Sequence, residues 1–149
     1  MAEKILNVET YVFDNVIKKI KESEFLGLNT SELITLFIIA MAIGCHCKKR
    51  KPLQHKRGLI RQSAIHDDEM SLLKTVCLYD LIENNGDFAN INNIEYIFKI
   101  VEEYANFGFH ELEKKVNNFE NTDKDNNLDV WESLDDLNNE YKKLFEDVV

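Results

Sequence analysis

Residues 48–61 concentrate positive charge in a chain of 149 residues whose net charge is -9. This basic segment contains no acid and seven cations: Lys48, Lys49, Arg50, Lys51, Lys56, Arg57 and Arg61. Ammonium and guanidinium groups at this density predict salt-dependent binding to nucleic acid or to an acidic protein surface. A solvated loop whose cations offset nearby acids is the structural alternative. Because no aromatic residue interrupts the segment, we do not expect a platform that stacks single-stranded bases.

A second candidate site is the oxygen-rich stretch over residues 121–132, NTDKDNNLDVWE. It resembles an EF-hand calcium loop, in which carboxylate and amide oxygens surround the ion and a glutamate closes the loop. The resemblance implies calcium ligands at Asn121, Asp123, Asp125, Asn127, Asp129 and Glu132. The sequence departs from the pattern at Asn121, where an aspartate is usual, and at Asn126, where a glycine makes the sharp turn. We favour the alternative of an acidic linker that leads into a helix.

Two groups of histidine, cysteine and aspartate raise the question of a bound metal. Cys45, His46 and Cys47 suit zinc by residue type. Residues two apart on a helix point about 200° away from each other, so zinc would require the helix to end at Gly44. We therefore expect free thiols and no resident cofactor.

The pair His66-Asp67 resembles the metal-dependent HD phosphohydrolases, in which histidine and aspartate side chains hold a divalent ion. The resemblance implies an earlier ligand at His46 or His55 and a later one at Asp80 or Asp87. A helix start, with its first acids placed at the positive end of the helix dipole, is the interpretation we favour for His66-Asp67.

The final helix has apolar residues at alternating four- and three-residue steps, which is the spacing of a heptad seam. Its apolar side chains can pack on the protein's own core or on a partner helix. The set comprises Val130, Trp131, Leu134, Leu137, Tyr141, Leu144, Phe145 and Val148.

Apolar periodicity predicts the helices that position these groups. We expect helices over residues 3–21, 67–83 and 94–107, with Gly108 ending the last of them, and a shorter helix over 109–119. An Asn29 cap with Glu32 three residues later predicts the start of another helix. Residues 44–60 are expected to form an exposed connection or a helix followed by a loop.

The stretch 33–43 is apolar on every side, which indicates a buried helix. Its unbroken apolar run is only about 18 Å long, whereas a membrane span needs about 20 apolar residues. We therefore predict a central core helix and no membrane association.

Together these patterns predict an all-α fold, a compact bundle of five or six helices in a single domain over residues 1–149. Residues 1–120 would form the core bundle, 121–127 a polar linker and 128–149 an acidic amphipathic helix. Five glycines and one proline are few for an all-β chain. The start of the chain lacks the features of a secretion signal, which favours the cytoplasm.

No nucleotide-binding, hydrolase-elbow or zincin motif occurs in the sequence. Small size, composition and this lack of catalytic motifs favour a non-catalytic accessory or adaptor subunit that binds a protein partner and, as an additional partner, nucleic acid. A prokaryotic genome-defence or DNA-processing complex would be a suitable setting. A calcium-responsive module and a metal-dependent phosphohydrolase or nuclease stay open as alternatives.

Overall fold

The fold combines helices with one small sheet, and the computed structural model describes residues 3–23 and 33–122. Within these ranges the chain forms two strands, four α-helices, one π-helix and two 3-10 turns. The elements are β1 (Ile5–Glu9), the π-helix Val12–Ile17, α1 (Lys18–Ser23), α2 (Leu33–Cys47), β2 (Lys56–Arg61), the 3-10 turn Gln62–Ala64, α3 (Asp67–Glu83), the 3-10 turn Phe88–Asn92 and α4 (Ile94–Thr122). The described chain is mostly helical, as predicted.

The predicted first helix is wrong at its start, where the chain forms strand β1. Leu6 and Val8 are buried, whereas Ile5 is 45% exposed. The buried face therefore repeats every two residues, which is the period of a strand. Helical structure begins after this strand. The apolar residues at the start of the chain fit the spacing of a helix and that of a strand, and the pairing with β2 decides between them.

The expected exposed connection over residues 44–60 contains an unpredicted strand, β2, after a loop at residues 48–55. Strands β1 and β2 pair in antiparallel fashion, with a shift in register between Leu6 and Asn7. The Asn7 N–H donates to the Glu102 carboxylate at 2.7 Å instead of joining the regular ladder. Burial raises the pKa of Glu102 to about 7, although hydrogen bonds from Asn7 oppose the shift.

Helices α2 and α4 cross at backbone contact distance because each has a glycine at the crossing. A Cβ atom built on Gly108 would lie 1.7 Å from the Ala40 carbonyl oxygen, and one on Gly44 would lie 2.0 Å from the Tyr104 carbonyl oxygen. Gly108 therefore does not end a helix, and the separate helices predicted before and after it are one continuous helix, α4. Gly108 instead allows the two helices to pack closely, and in the sequence such a glycine looks the same as one that ends a helix.

Helix α3 confirms the predicted helix over residues 67–83. Three acids occupy its first turn, where the helix dipole favours negative charge. The Glu69 carboxylate also accepts a hydrogen bond of 2.8 Å from the His66 N–H, which satisfies a backbone donor at the helix start.

Helix α2 confirms that the apolar stretch after residue 32 is helical, and nine of its 15 residues are buried. No helix in residues 3–23 or 33–122 is both long and apolar enough to span a membrane. The total of five or six helices and the central place of α2 remain predictions.

Candidate partner-binding surface and adjoining cavity

The basic segment begins where α2 ends. Lys48 has a positive φ of 56°, a left-handed conformation that terminates the helix. The Lys48 N–H donates to the Cys45 carbonyl at 3.0 Å, and the Lys49 N–H donates to the Gly44 carbonyl at 3.1 Å. The loop therefore leaves α2 in a defined direction even though a lysine, and not a glycine, occupies the left-handed position.

Hydrogen bonds to α4 hold the backbone of this loop. The Lys51 N–H donates to the Glu103 carbonyl at 3.0 Å. The Asn106 side-chain amide donates to the carbonyls of Lys51 at 3.1 Å and Pro52 at 3.3 Å. The backbone at Lys51 and Pro52 is thereby held against α4.

Hydrogen bonds to β1 hold the second half of the loop. The Gln54 N–H donates to the Glu9 carboxylate at 3.1 Å. The Thr10 N–H donates to the His55 carbonyl at 2.9 Å, which extends the β1–β2 pairing. Hydrogen bonds therefore hold the loop backbone on the side of α4 and on the side of β1.

Arg50 is the one arginine of the segment that faces a buried acid. Its guanidinium lies 3.5 Å from the carboxylate of Asp80, which is 3% exposed, and 3.8 Å from that of Glu103. The Tyr104 hydroxyl donates to the same Asp80 carboxylate at 2.6 Å. Burial and this hydrogen bond raise the pKa of the Tyr104 hydroxyl. Arg50 therefore neutralises a buried charge, a role that is structural.

Arg57 and Arg61 also interact with acids of this chain. The Arg57 guanidinium lies 3.2 Å from the Asp14 carboxylate and 3.7 Å from the centre of the Phe13 ring. The charge of Arg61 contributes, after hydrogen bonds from Ser63, to a lowered pKa of Glu3. The three arginines are therefore engaged within the molecule.

The four lysines of the segment are exposed and lie beyond ion-pair distance of every carboxylate in the described part of the chain. Lys49 has a weaker contact, with its ammonium 5.8 Å from the centre of the Phe107 ring. We call this set the cationic surface: Lys48, Lys49, Lys51 and Lys56. Within the described ranges, the fold thus separates the predicted basic cluster into two arginines that pair with acids of the chain, Arg50 and Arg57, and four lysines that do not.

A cavity of about 740 Å³ adjoins the cationic surface. Its lining residues come from the end of β1, the loop and α4: Glu9, Thr10, Tyr11, Asp14, Lys51, Gln54, His55 and His110. The His110 Nε2 lies 3.1 Å from the Glu9 carboxylate. Burial raises the pKa of Glu9, but hydrogen bonds from Gln54, His110 and Asn106 outweigh it and hold that pKa below its ordinary value.

Sequence reasoning missed this cavity. Glu9, Tyr11 and His110 belong to no motif, and about 100 residues separate the first two from the third. They meet only because the start of the predicted first helix is instead strand β1, which packs beside α4 and ends just before Tyr11. No signal in the sequence alone distinguished them from other surface residues.

The proposed zinc ligands Cys45 and Cys47 do not converge. Helix α2 continues to Cys47, with Cys45 buried and Cys47 exposed, so the condition for a shared metal fails. Burial, with a smaller contribution from Asp80 and Glu83, raises the pKa of Cys45 to about 12, which keeps it a thiol. A thiol is not the form that binds zinc.

The predicted phosphohydrolase ligands are separated as well. His66 begins α3, whereas Asp80 is buried against Tyr104 and Arg50. Within residues 3–23 and 33–122, no three histidine, cysteine or acidic side chains form a group suited to a metal ion.

The calcium loop and the heptad helix lie largely outside the described residues. Of the calcium ligands, only Asn121 falls within α4, which extends to Thr122. The seam residues from Val130 to Val148 lie outside the described ranges. Both sites, and the linker at 121–127, stay predictions.

A family model described as DNA sulphur modification system-associated protein 4 matches residues 14–145 of the chain. No curated protein and no solved structure matches. The matched range contains the whole cationic surface, whereas Glu9 and Tyr11 of the cavity precede it.

Proposed function

The chain belongs to the family of DNA sulphur modification system-associated protein 4, and we propose that it is a non-catalytic accessory subunit of a DNA sulphur modification system in prokaryotic defence. In this proposal it docks through the cationic surface onto an acidic face of a protein partner. The family description supports the setting, and the cationic surface supports the mode of binding.

The observation that carries the docking role is the contrast between a fixed backbone and outward lysines. Hydrogen bonds from α4 and β1 fix the loop. None of the four lysines of the cationic surface lies within ion-pair distance of a described carboxylate, although the charge of Lys56 acts to lower the pKa of Glu102. Because the backbone is already ordered, binding would mainly restrict the lysine side chains, and less conformational entropy is lost. Complementary charge would also speed association and make it sensitive to salt.

The non-catalytic part of the proposal rests on the hydrogen bonds of the buried polar groups. Asp80 and Tyr104 bond to each other, and Glu102 accepts from a strand backbone. Each of these groups therefore has a structural task within the fold. The heptad helix over residues 128–149 would give the subunit a second docking element, against a partner helix.

Reversal of the cationic surface tests the docking role. We expect the combined variant Lys48→Glu, Lys49→Glu, Lys51→Glu and Lys56→Glu to lose partner proteins that the wild-type chain recovers from its native host. The matched control reverses four exposed lysines elsewhere on the molecule: Lys18, Lys21, Lys74 and Lys99. Both variants carry the same net charge, so only the position of the reversal differs.

Mass spectrometry of the recovered proteins, with and without nuclease, is the measurement. We expect recovery of other proteins of the modification system by the wild type and the control, before and after nuclease. Equal recovery by the cationic-surface variant would reject the docking role. Recovery that disappears with nuclease would instead identify nucleic acid as the molecule that occupies this surface.

A further inference from the structure

The cavity beside the cationic surface has room for a small ligand. Its volume of about 740 Å³ falls within the range of about 300–1,000 Å³ that is usual for small-molecule sites. Residues 9–14, the loop at 51–55 and α4 supply its lining. Neither the docking role nor the packing of the core accounts for these side chains.

Tyr11 gives the cavity an aromatic platform. Its side chain lines the cavity and is 49% exposed. Two residues of α4 hold the Tyr11 side chain. Its ring stacks on the His110 ring, with the planes 9° apart and the centres 6.0 Å apart. Its hydroxyl donates to the Glu113 carboxylate at 2.5 Å. A ring fixed in this way can stack on a planar ligand with little further loss of freedom.

Lys51 and His55 are the lining residues that can bind an anion, one through its ammonium and the other through a ring N–H. The backbone of Lys51 is fixed by Glu103 and Asn106, and the His55 carbonyl is fixed by Thr10. Within the described ranges, the Lys51 ammonium lies beyond ion-pair distance of every carboxylate. Both side chains are exposed and therefore accessible to a ligand.

The two acids of the cavity are already engaged. Glu9 accepts from the Gln54 N–H and lies 3.1 Å from the His110 Nε2. Asp14 lies 3.2 Å from the Arg57 guanidinium. Both carboxylates therefore have partners within the chain, and the Tyr11 ring and the Lys51 ammonium are the groups available to a ligand.

We propose that this cavity binds a single nucleotide unit, with its base stacked on Tyr11 and its phosphate held by Lys51 and His55. This inference goes beyond the docking role, because it concerns a different ligand and depends on Tyr11, which lies outside the cationic surface. The basic segment has no phenylalanine, tyrosine or tryptophan of its own, so the fold supplies the stacking platform from the start of the helical stretch after β1. Base stacking on one aromatic side chain is sequence-tolerant, and the site would accept any of the common bases.

Competition binding tests the proposal. The probe is a fluorescently labelled short oligothymidylate at low salt, with thymidine 5′-monophosphate, thymidine and inorganic phosphate as competitors. We expect the monophosphate to displace the probe at a concentration at least about tenfold lower than either part alone, because stacking and phosphate binding act together. If the oligonucleotide binds more tightly than the monophosphate, the bound nucleotide belongs to a DNA strand. If the monophosphate binds more tightly, the ligand is a free nucleotide.

Substitutions of the aromatic platform provide the decisive comparison. Tyr11→Ala should weaken binding at least about fivefold, since stacking on one aromatic contributes about 1–3 kcal/mol per base. Tyr11→Phe keeps the ring and should stay within about twofold of the wild type. Phe88→Ala removes an aromatic of similar exposure, 56%, outside the cavity and should have no effect.

Thermal unfolding of each variant shows whether the fold is intact. The proposal is overturned if the wild type binds neither probe nor monophosphate, or if a folded Tyr11→Ala variant binds as tightly as the wild type. The four-lysine reversal also changes Lys51 of the cavity, so Tyr11→Ala, which leaves all four lysines in place, separates the two proposals. A Tyr11→Ala variant that loses the nucleotide but keeps its protein partner shows that the two sites act independently.

Discussion

The crossing of α2 and α4 differs from the cationic surface in what its residues contribute. At the crossing, the absence of side chains at Gly44 and Gly108 lets two backbones touch. At the surface, hydrogen bonds hold the loop backbone in place while the side chains of Lys48 and Lys49 are exposed. The comparison separates a region that serves stability from one that we propose serves recognition, so substitutions should affect the two differently.

Gly108→Ala should have the largest effect on stability. Its Cβ would lie 1.7 Å from the Ala40 carbonyl oxygen, and no rotamer change can relieve a clash with backbone. We expect a loss of about 3 kcal/mol or more in the free energy of unfolding, at the upper end for overpacked cores, measured by chemical denaturation. Gly44→Ala should behave in the same way.

Gly58→Ala is the matched control for the crossing. A Cβ atom on Gly58, in strand β2, would meet side-chain atoms and no backbone, the nearest on Ile5 at 3.0 Å and on Asn7 at 3.9 Å. A loss below about 1 kcal/mol is expected, since a flexible side chain can move. Equal losses for Gly58→Ala and Gly108→Ala would mean that the helices are not in backbone contact.

Tyr104→Phe should have the next largest effect, because it removes a donor from a buried carboxylate. Asp80 keeps Arg50 and Asn84 as partners but loses a hydrogen bond of 2.6 Å. We expect a loss of about 1–2 kcal/mol in the free energy of unfolding. Tyr79→Phe, at a partly buried site, serves as the control and should leave the denaturation midpoint unchanged. A midpoint unchanged in Tyr104→Phe would mean that the hydrogen bond from Tyr104 to Asp80 does not stabilise the fold.

Glu102 should make the stability depend on pH. Burial raises the pKa of this carboxyl from 4.5 to about 7 in the folded protein. Between these values the folded protein keeps a proton that the unfolded chain releases, so stability falls as pH rises through the window, by about 2–3 kcal/mol at most. Denaturation curves at several pH values measure this slope. Glu102→Gln should remove this pH dependence, whereas the control Glu83→Gln, at an exposed site, should retain it. If the pH dependence persists in Glu102→Gln, another group is responsible for it.

The sequence predicted the parts of the fold that depend on local pattern. The limits of α3 follow from its acids and apolar spacing, and the burial of α2 follows from its apolar composition. Strands β1 and β2 were not predictable in this way, because each is short and gains its hydrogen bonds from a partner about 50 residues away. Gly108 was misread because a glycine that permits close packing has the same sequence signal as one that ends a helix.

The cationic residues could be predicted as a group, but not how the fold divides them. Residue type identifies Arg50 and Lys51 equally as cations. Only the structure places Arg50 against Asp80 and leaves Lys51 at the mouth of the cavity. Tyr11 and His110 were invisible to sequence reasoning because their contact depends on the pairing of β1 beside α4.

The smallest effect on stability is expected at the cationic surface, where reversal of one exposed lysine should change the free energy of unfolding by no more than about 0.5 kcal/mol. The most direct test of the account measures unfolding and partner recovery on one preparation of the four-lysine variant, beside the variant reversed at Lys18, Lys21, Lys74 and Lys99. The account predicts that both variants stay folded and that only the first loses its partner. Loss of the partner in both variants, or in neither, would contradict it.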